Sequence, residues 1–237
     1  MKNKALPLLA LATGILGAAL RWLLYALTTD AKNLIPVGHP LAIILWILTA
    51  AVAILVSVAI FPLRNADNDP RRFRPNRLAA LGTLAAAVGI ALTVLVNING
   101  ISGTLGLIWK ILGIASAVSL AVVSLCRVRG KMPFFGLHTV VSIFFAIHLV
   151  TSYRGWSSNP QLMDYAFSLF ACLGMMLFAF YHACLEVGMA KLRLLPIAGL
   201  VTAYCCVVCL SGMENLPLYL GGFLWTTTNL LHLHTEN

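Results

Sequence analysis

The chain has 237 residues, 60% of them hydrophobic and only 10% charged, with a formal net charge of +9. A soluble domain is usually about a quarter charged and less than half apolar, so this chain, with a mean hydropathy of +0.93, cannot clothe a soluble surface. Composition excludes a soluble globular domain and predicts an integral membrane protein almost from end to end.

A spanning helix needs roughly 20 apolar residues to cross a hydrocarbon core of about 30 Å. Eight segments qualify in chain order: 5–27, 39–62, 78–96, 103–125, 134–152, 161–183, 194–211 and 216–233. They are continuously apolar and lack the alternation of barrel strands, which predicts helices. The expected fold is therefore all-α, a polytopic helix bundle forming one transmembrane domain over 1–237.

The first segment follows Lys2 and Lys4 and superficially resembles a signal peptide. Its run is longer than a usual signal core, contains Arg21 and shows no small-x-small cleavage site, so it reads as a retained helix. Arg21 follows Gly14, Gly17 and Ala18 at helical steps of seven, four and three. Small residues at such steps mark faces where spanning helices approach closely, which predicts that Arg21 turns into the bundle.

His39 opens the second segment, and the connection after it, RNADNDPRRFRPNR over Arg64 to Arg77, is the one dense basic run. Near a membrane each such cation adds about 1 kcal/mol of attraction to anionic lipid headgroups. The remaining cations are scattered over short segments, which argues against nucleic acid as a partner. The turn around Asn97 and Asn99 joins segments three and four with ordinary turn residues. In segment four Lys110 is flanked by Gly103, Gly106, Gly113 and Ala117, again at steps of three and four.

Segment five, within FGLHTVVSIFFAIHLVTSYRGW, holds His138 and His148 in otherwise apolar surroundings. Ten helical residues separate them by about 15 Å of rise, so they cannot serve one metal ion together. Asp164 opens segment six and His182 ends it, with Glu186 one turn beyond. Cys205, Cys206 and Cys209 lie in segment seven without a second pair at zinc spacing, and read as packing residues. Segments seven and eight are the shortest, joined by a tight turn near Pro217, and His232 and His234 end the last one.

The basic residues give an independent check on this count. Twelve of 16 lie in the N-terminus and in the connections after segments two, four and six: Lys2, Lys4, Arg64, Arg71, Arg72, Arg74, Arg77, Arg127, Arg129, Lys131, Lys191 and Arg193. The opposite connections hold only Lys32 and Arg154. The positive-inside rule then predicts eight spans with both termini cytoplasmic, in a cell membrane of prokaryotic cytoplasmic type.

Charge within a span is costly and usually faces a protein interior or a wet cavity. Arg21, His39, Lys110, His148 and Asp164 fall in one outer layer and are the expected lining of an outward-facing, mainly cationic pocket. Such a pocket suits an anionic or amphipathic solute; the structural alternative is an ion pair of Asp164 with Arg21 or Lys110. This makes a small solute-binding or transport protein the leading expectation. A second is the membrane anchor subunit of a redox complex handling quinol or haem, and a third an accessory membrane protein without substrate. No cofactor is expected; the route to haem or a transition metal, including an intramembrane metal enzyme, would run through His138, His182, His232 and His234. No phosphate loop, nucleophile elbow or zinc-protease helix is present to argue for another enzyme.

Overall fold

A computed structural model describes residues 5–28, 39–60, 76–98, 103–156, 165–189, 194–212 and 215–231. Among them are eight α-helices: α1 (Ala5–Thr28), α2 (Pro40–Ile60), α3 (Arg77–Val96), α4 (Gly103–Val128), α5 (Phe135–Trp156), α6 (Ala166–Glu186), α7 (Leu194–Leu210) and α8 (Leu216–Leu230). The first six are long and apolar enough to cross a membrane. The bundle is a helical membrane architecture, as its composition requires.

Neighbours in the chain pack from α3 through to α8, and α3 closes on α8 to complete a six-helix ring; α6 also touches α8 across it. Outside the ring, α1 lies on α7, and α2 lies on both α1 and α7. The helices of 17 and 15 residues, α7 and α8, rise only about 26 and 22 Å. They are also among the most buried, with Tyr204, Cys206, Val208, Tyr219 and Trp225 all inside. A helix enclosed by other helices need not match the lipid thickness with its own length, which explains why these two read as marginal spans.

Helices α4, α5 and α6 end a few residues later than the sequence pattern implies, and the ends of α4 and α6 bear on the site. Segment α4 continues through Arg127 to Val128 and is closed by Gly130 at φ +65°, with Lys131 N–H donating back to Cys126 O at 2.9 Å. That left-handed position suits glycine, and the 6→1 bond satisfies an otherwise orphaned carbonyl. Segment α6 continues to Glu186, again closed by a glycine, Gly188 at φ +79°. Both extensions carry a charged side chain into the bundle.

The tightest seam is between α3 and α8. A β-carbon on Gly221 would sit 2.9 Å from Ala85 O and 3.0 Å from Ala86 Cα, and one on Gly89 would meet the Pro217 carbonyl. Backbones approach this closely only where side chains are absent. The seam is tied at one end by Asn229 Nδ2 donating to Thr83 Oγ1 at 3.3 Å, and at the other by Asn97 Nδ2 donating to Asn215 Oδ1 at 3.1 Å.

Other seams are stitched in the same way. Ser124 Oγ donates to Ala80 O at 2.7 Å between α4 and α3, and Ser142 Oγ to Met176 O at 3.2 Å between α5 and α6. The Thr49 and Tyr204 hydroxyls meet at 2.9 Å between α2 and α7. Each such bond adds only about 0.6 kcal/mol in a membrane, yet each fixes the rotation of two helices.

Substituting Gly221 by Val is expected to force α3 and α8 apart and to cost about 1–3 kcal/mol, read as a lower melting temperature in detergent. Gly155→Ala is the control, because a β-carbon there meets nothing within 4 Å, and it should melt with the parent.

Candidate functional site

The helix extensions build a cluster of ionisable side chains at the end of the bundle where α4 and α6 finish and α5 begins. His138 stands one turn into α5, and His182 and Glu186 share a face of α6 at a spacing of four. His138 Nδ1 lies 2.8 Å from Glu186 Oε1, with the two side chains 0% and 7% exposed. The ring nitrogen does not meet the carboxylate at hydrogen-bond angle, so the contact is a close approach out of hydrogen-bond line. The far nitrogen, His138 Nε2, and the second carboxylate oxygen, Glu186 Oε2, are buried without a hydrogen-bond partner among the described residues.

His182 lies over His138 with ring centroids 5.1 Å apart and planes 17° from parallel. Phe178 meets the His182 ring edge-on at 4.6 Å, and Trp225 of α8 stacks beyond it at 6.5 Å. Arg127, from the last turn of α4, is half-buried and lines the same recess as His182 and Glu186. Four ionisable groups from three helices thus gather at this end of the bundle. A cavity of about 30 Å³, lined by Arg127, Lys131, Met132, Pro133, His182 and Glu186, adjoins them.

The stacked imidazoles bear on the haem expectation. Axial ligands point their nitrogens at a metal held between them, about 2 Å from each, whereas rings stacked face to face direct their nitrogens sideways. His138 and His182 therefore do not form an axial pair as they stand. Among the described residues no group of three His, Cys, Asp or Glu side chains is placed to hold a metal ion. His232 and His234 lie outside the described residues.

Four of the five outer residues of the expected pocket are described, and Arg21 and His148 lie in different seams. Arg21 is 6% exposed and sits between α1, α6 and α7. Its guanidinium donates to Val208 O at 3.4 Å and to Tyr25 Oη at 3.2 Å, and lies 5.5 Å from the ring centres of both Tyr25 and Phe167. Gly14 and Gly17 on the same face of α1 abut Val207, Val208 and Tyr204 of α7, which is how the small-residue stripe carries the cation inward.

His148 belongs to the α4–α5 seam. Trp109 Nε1 donates to His148 Nδ1 at 2.9 Å, and Phe144 stacks on the imidazole at 5.8 Å. An indole N–H only donates, so His148 is held as a neutral acceptor. Lys110 is half-buried, one residue around α4 from the buried line of Gly106, Trp109 and Gly113. His39 caps α2: its Nδ1 accepts from Leu41 N–H at 3.3 Å and its carbonyl from Ala42 and Ile43. Asp164 lies outside the described residues. The structure brings Lys110 and His148 to neighbouring helices and places Arg21 against α7, beyond the ring.

Comparison with known proteins adds no relative. No family model, curated protein or solved structure matches the chain.

Sequence reasoning missed Arg127, taken as a connection residue fixing topology, and did not single out Trp109. The available signal for Arg127 was Gly130: a glycine three residues on marks a helix that runs past the arginine. The Trp109–His148 bond is checked by a double-mutant cycle of Trp109→Phe and His148→Phe. Each single change is expected to cost about 1 kcal/mol, and the pair less than the sum.

Proposed function

We propose that the chain is a small solute-binding or transport protein of the membrane, with charged working groups at two depths. One observation supports this reading: His138, His182 and Glu186 lie buried together, with Arg127 half-buried beside them, at one end of an apolar bundle. Apolar residues of similar volume would hold α4, α5 and α6 together at least as well, since a buried ion pair is often neutral or costly for stability. Ionisable groups kept within a span most often serve substrate, ion or proton movement.

Arg21, buried near the opposite end, supplies the cationic character expected for recognition of an anionic or amphipathic solute. Lys110 and His148 are the further candidates of that layer, together with His39 and Asp164. In this reading the basic connections face the cytoplasm of a prokaryotic cell, and the run Arg64 to Arg77 rests on anionic headgroups. A partner subunit is compatible with the reading but is not needed for it.

The test is a ligand screen on the purified full chain, using small carboxylates, phosphorylated solutes and quinone analogues, scored by thermal stabilisation. A ligand present at 100 times its Kd stabilises by about 2.7 kcal/mol. We expect at least one class to raise the melting temperature and Arg21→Met to abolish that rise. A hit whose stabilisation survives both Arg21→Met and Glu186→Gln would contradict the proposal, as would a screen without any hit.

A further inference from the structure

The buried pair and the cavity beside it carry a more specific assignment, which deepens the transport reading by naming its coupling ion. His138 Nδ1 and Glu186 Oε1 are in contact at 2.8 Å. Their outer atoms, His138 Nε2 and Glu186 Oε2, are buried without hydrogen-bond partners among the described residues. A pair selected only to join α5 to α6 would have those atoms satisfied, because each unsatisfied buried polar group costs about 1–3 kcal/mol.

Water can supply what the protein does not. A buried water needs roughly 10–15 Å³ of such space and two to four polar partners. The cavity of about 30 Å³ offers that room, and Arg127, Lys131, His182 and Glu186 line it as polar partners. Its outer wall is Lys131, Met132 and Pro133 of the α4–α5 connection, and its inner wall is α6. Glu186 thus faces a recess with room for water on one side and His138 on the other.

The charges in the recess favour a proton over other cations. Arg127 from α4 and Lys131 from the connection would repel a metal ion, while α6 contributes His182 and α8 contributes the uncharged Trp225 ring. A proton passing from water to the His138–Glu186 pair adds one positive charge and leaves as the same species, so no other reactant is required. We propose that His138 and Glu186 form a proton-binding site, loaded by water from the end of the bundle where α4 meets α5.

The experiment uses the full chain with ¹⁵N-labelled histidine in lipid nanodiscs, with the imidazole signals of His138 assigned through His138→Phe. Those signals are expected to shift with pH as the pair takes up a proton. Glu186→Gln should move that titration; should Glu186→Gln fail to fold, Glu186→Asp keeps a carboxylate and should restore a displaced profile. Met132→Trp, which fills the recess, should slow proton exchange at His138 by about tenfold without moving the titration itself. His138 signals constant with pH, or a titration indifferent to both Glu186 variants, would overturn the site. Unaltered exchange in Met132→Trp would overturn the route. Titration needs no solute, so an intact titration without any solute binding contradicts the transport reading alone.

Discussion

Hydrocarbon offers no hydrogen bonds, so each polar side chain carried by these helices must find its partner within the protein. That constraint orders the bundle. Six seams of the ring and its two outer helices carry a polar stitch between helices: Asn229 to Thr83, Ser124 to Ala80, Trp109 to His148, Ser142 to Met176, Thr49 to Tyr204 and Arg21 to Val208. Apolar packing alone would leave helix rotation nearly degenerate, since lipid tails are as apolar as the helix surfaces. The stitches choose one rotation per helix, and the glycines of α3 and α8 let two backbones close the ring.

Against that background the cluster of Arg127, His138, His182 and Glu186 differs in kind. A serine or threonine hydroxyl can fold back onto its own helix, and many here do, such as Thr226 onto Gly222 O at 2.9 Å. A carboxylate and a guanidinium cannot be satisfied so locally. They need counter-charges from other helices, and α4, α5 and α6 meet at the end where those counter-charges are available. The His138–Glu186 contact and the stacked imidazoles therefore depend on the late ends of α4 and α6, set by Gly130 and Gly188.

Much of this was legible in the sequence, and the physical reasons are specific. Spans were legible because membrane thickness fixes their length, and the observed helices start and stop within a few residues of the apolar runs. The inward turn of Arg21 was legible because Gly14 and Gly17 precede it at helical steps. Helix adjacency was not, since an apolar helix surface carries no label for its neighbour. Hence the partner of His148 could not be named, and the five outer residues could be grouped only by depth, not by seam. The approach of His138 to His182 was suggested by matched depth, but their stacked geometry and the arrival of Arg127 required coordinates.

The account stands on His138 and Glu186 holding each other inside the bundle. A double-mutant cycle of His138→Phe and Glu186→Gln, measured by reversible unfolding in mixed micelles, tests it most directly. It predicts a coupling free energy of about 1 kcal/mol or more, in the range found for residues in one network. Additive effects, with no coupling beyond error, would mean that the two side chains do not meet and would contradict the account.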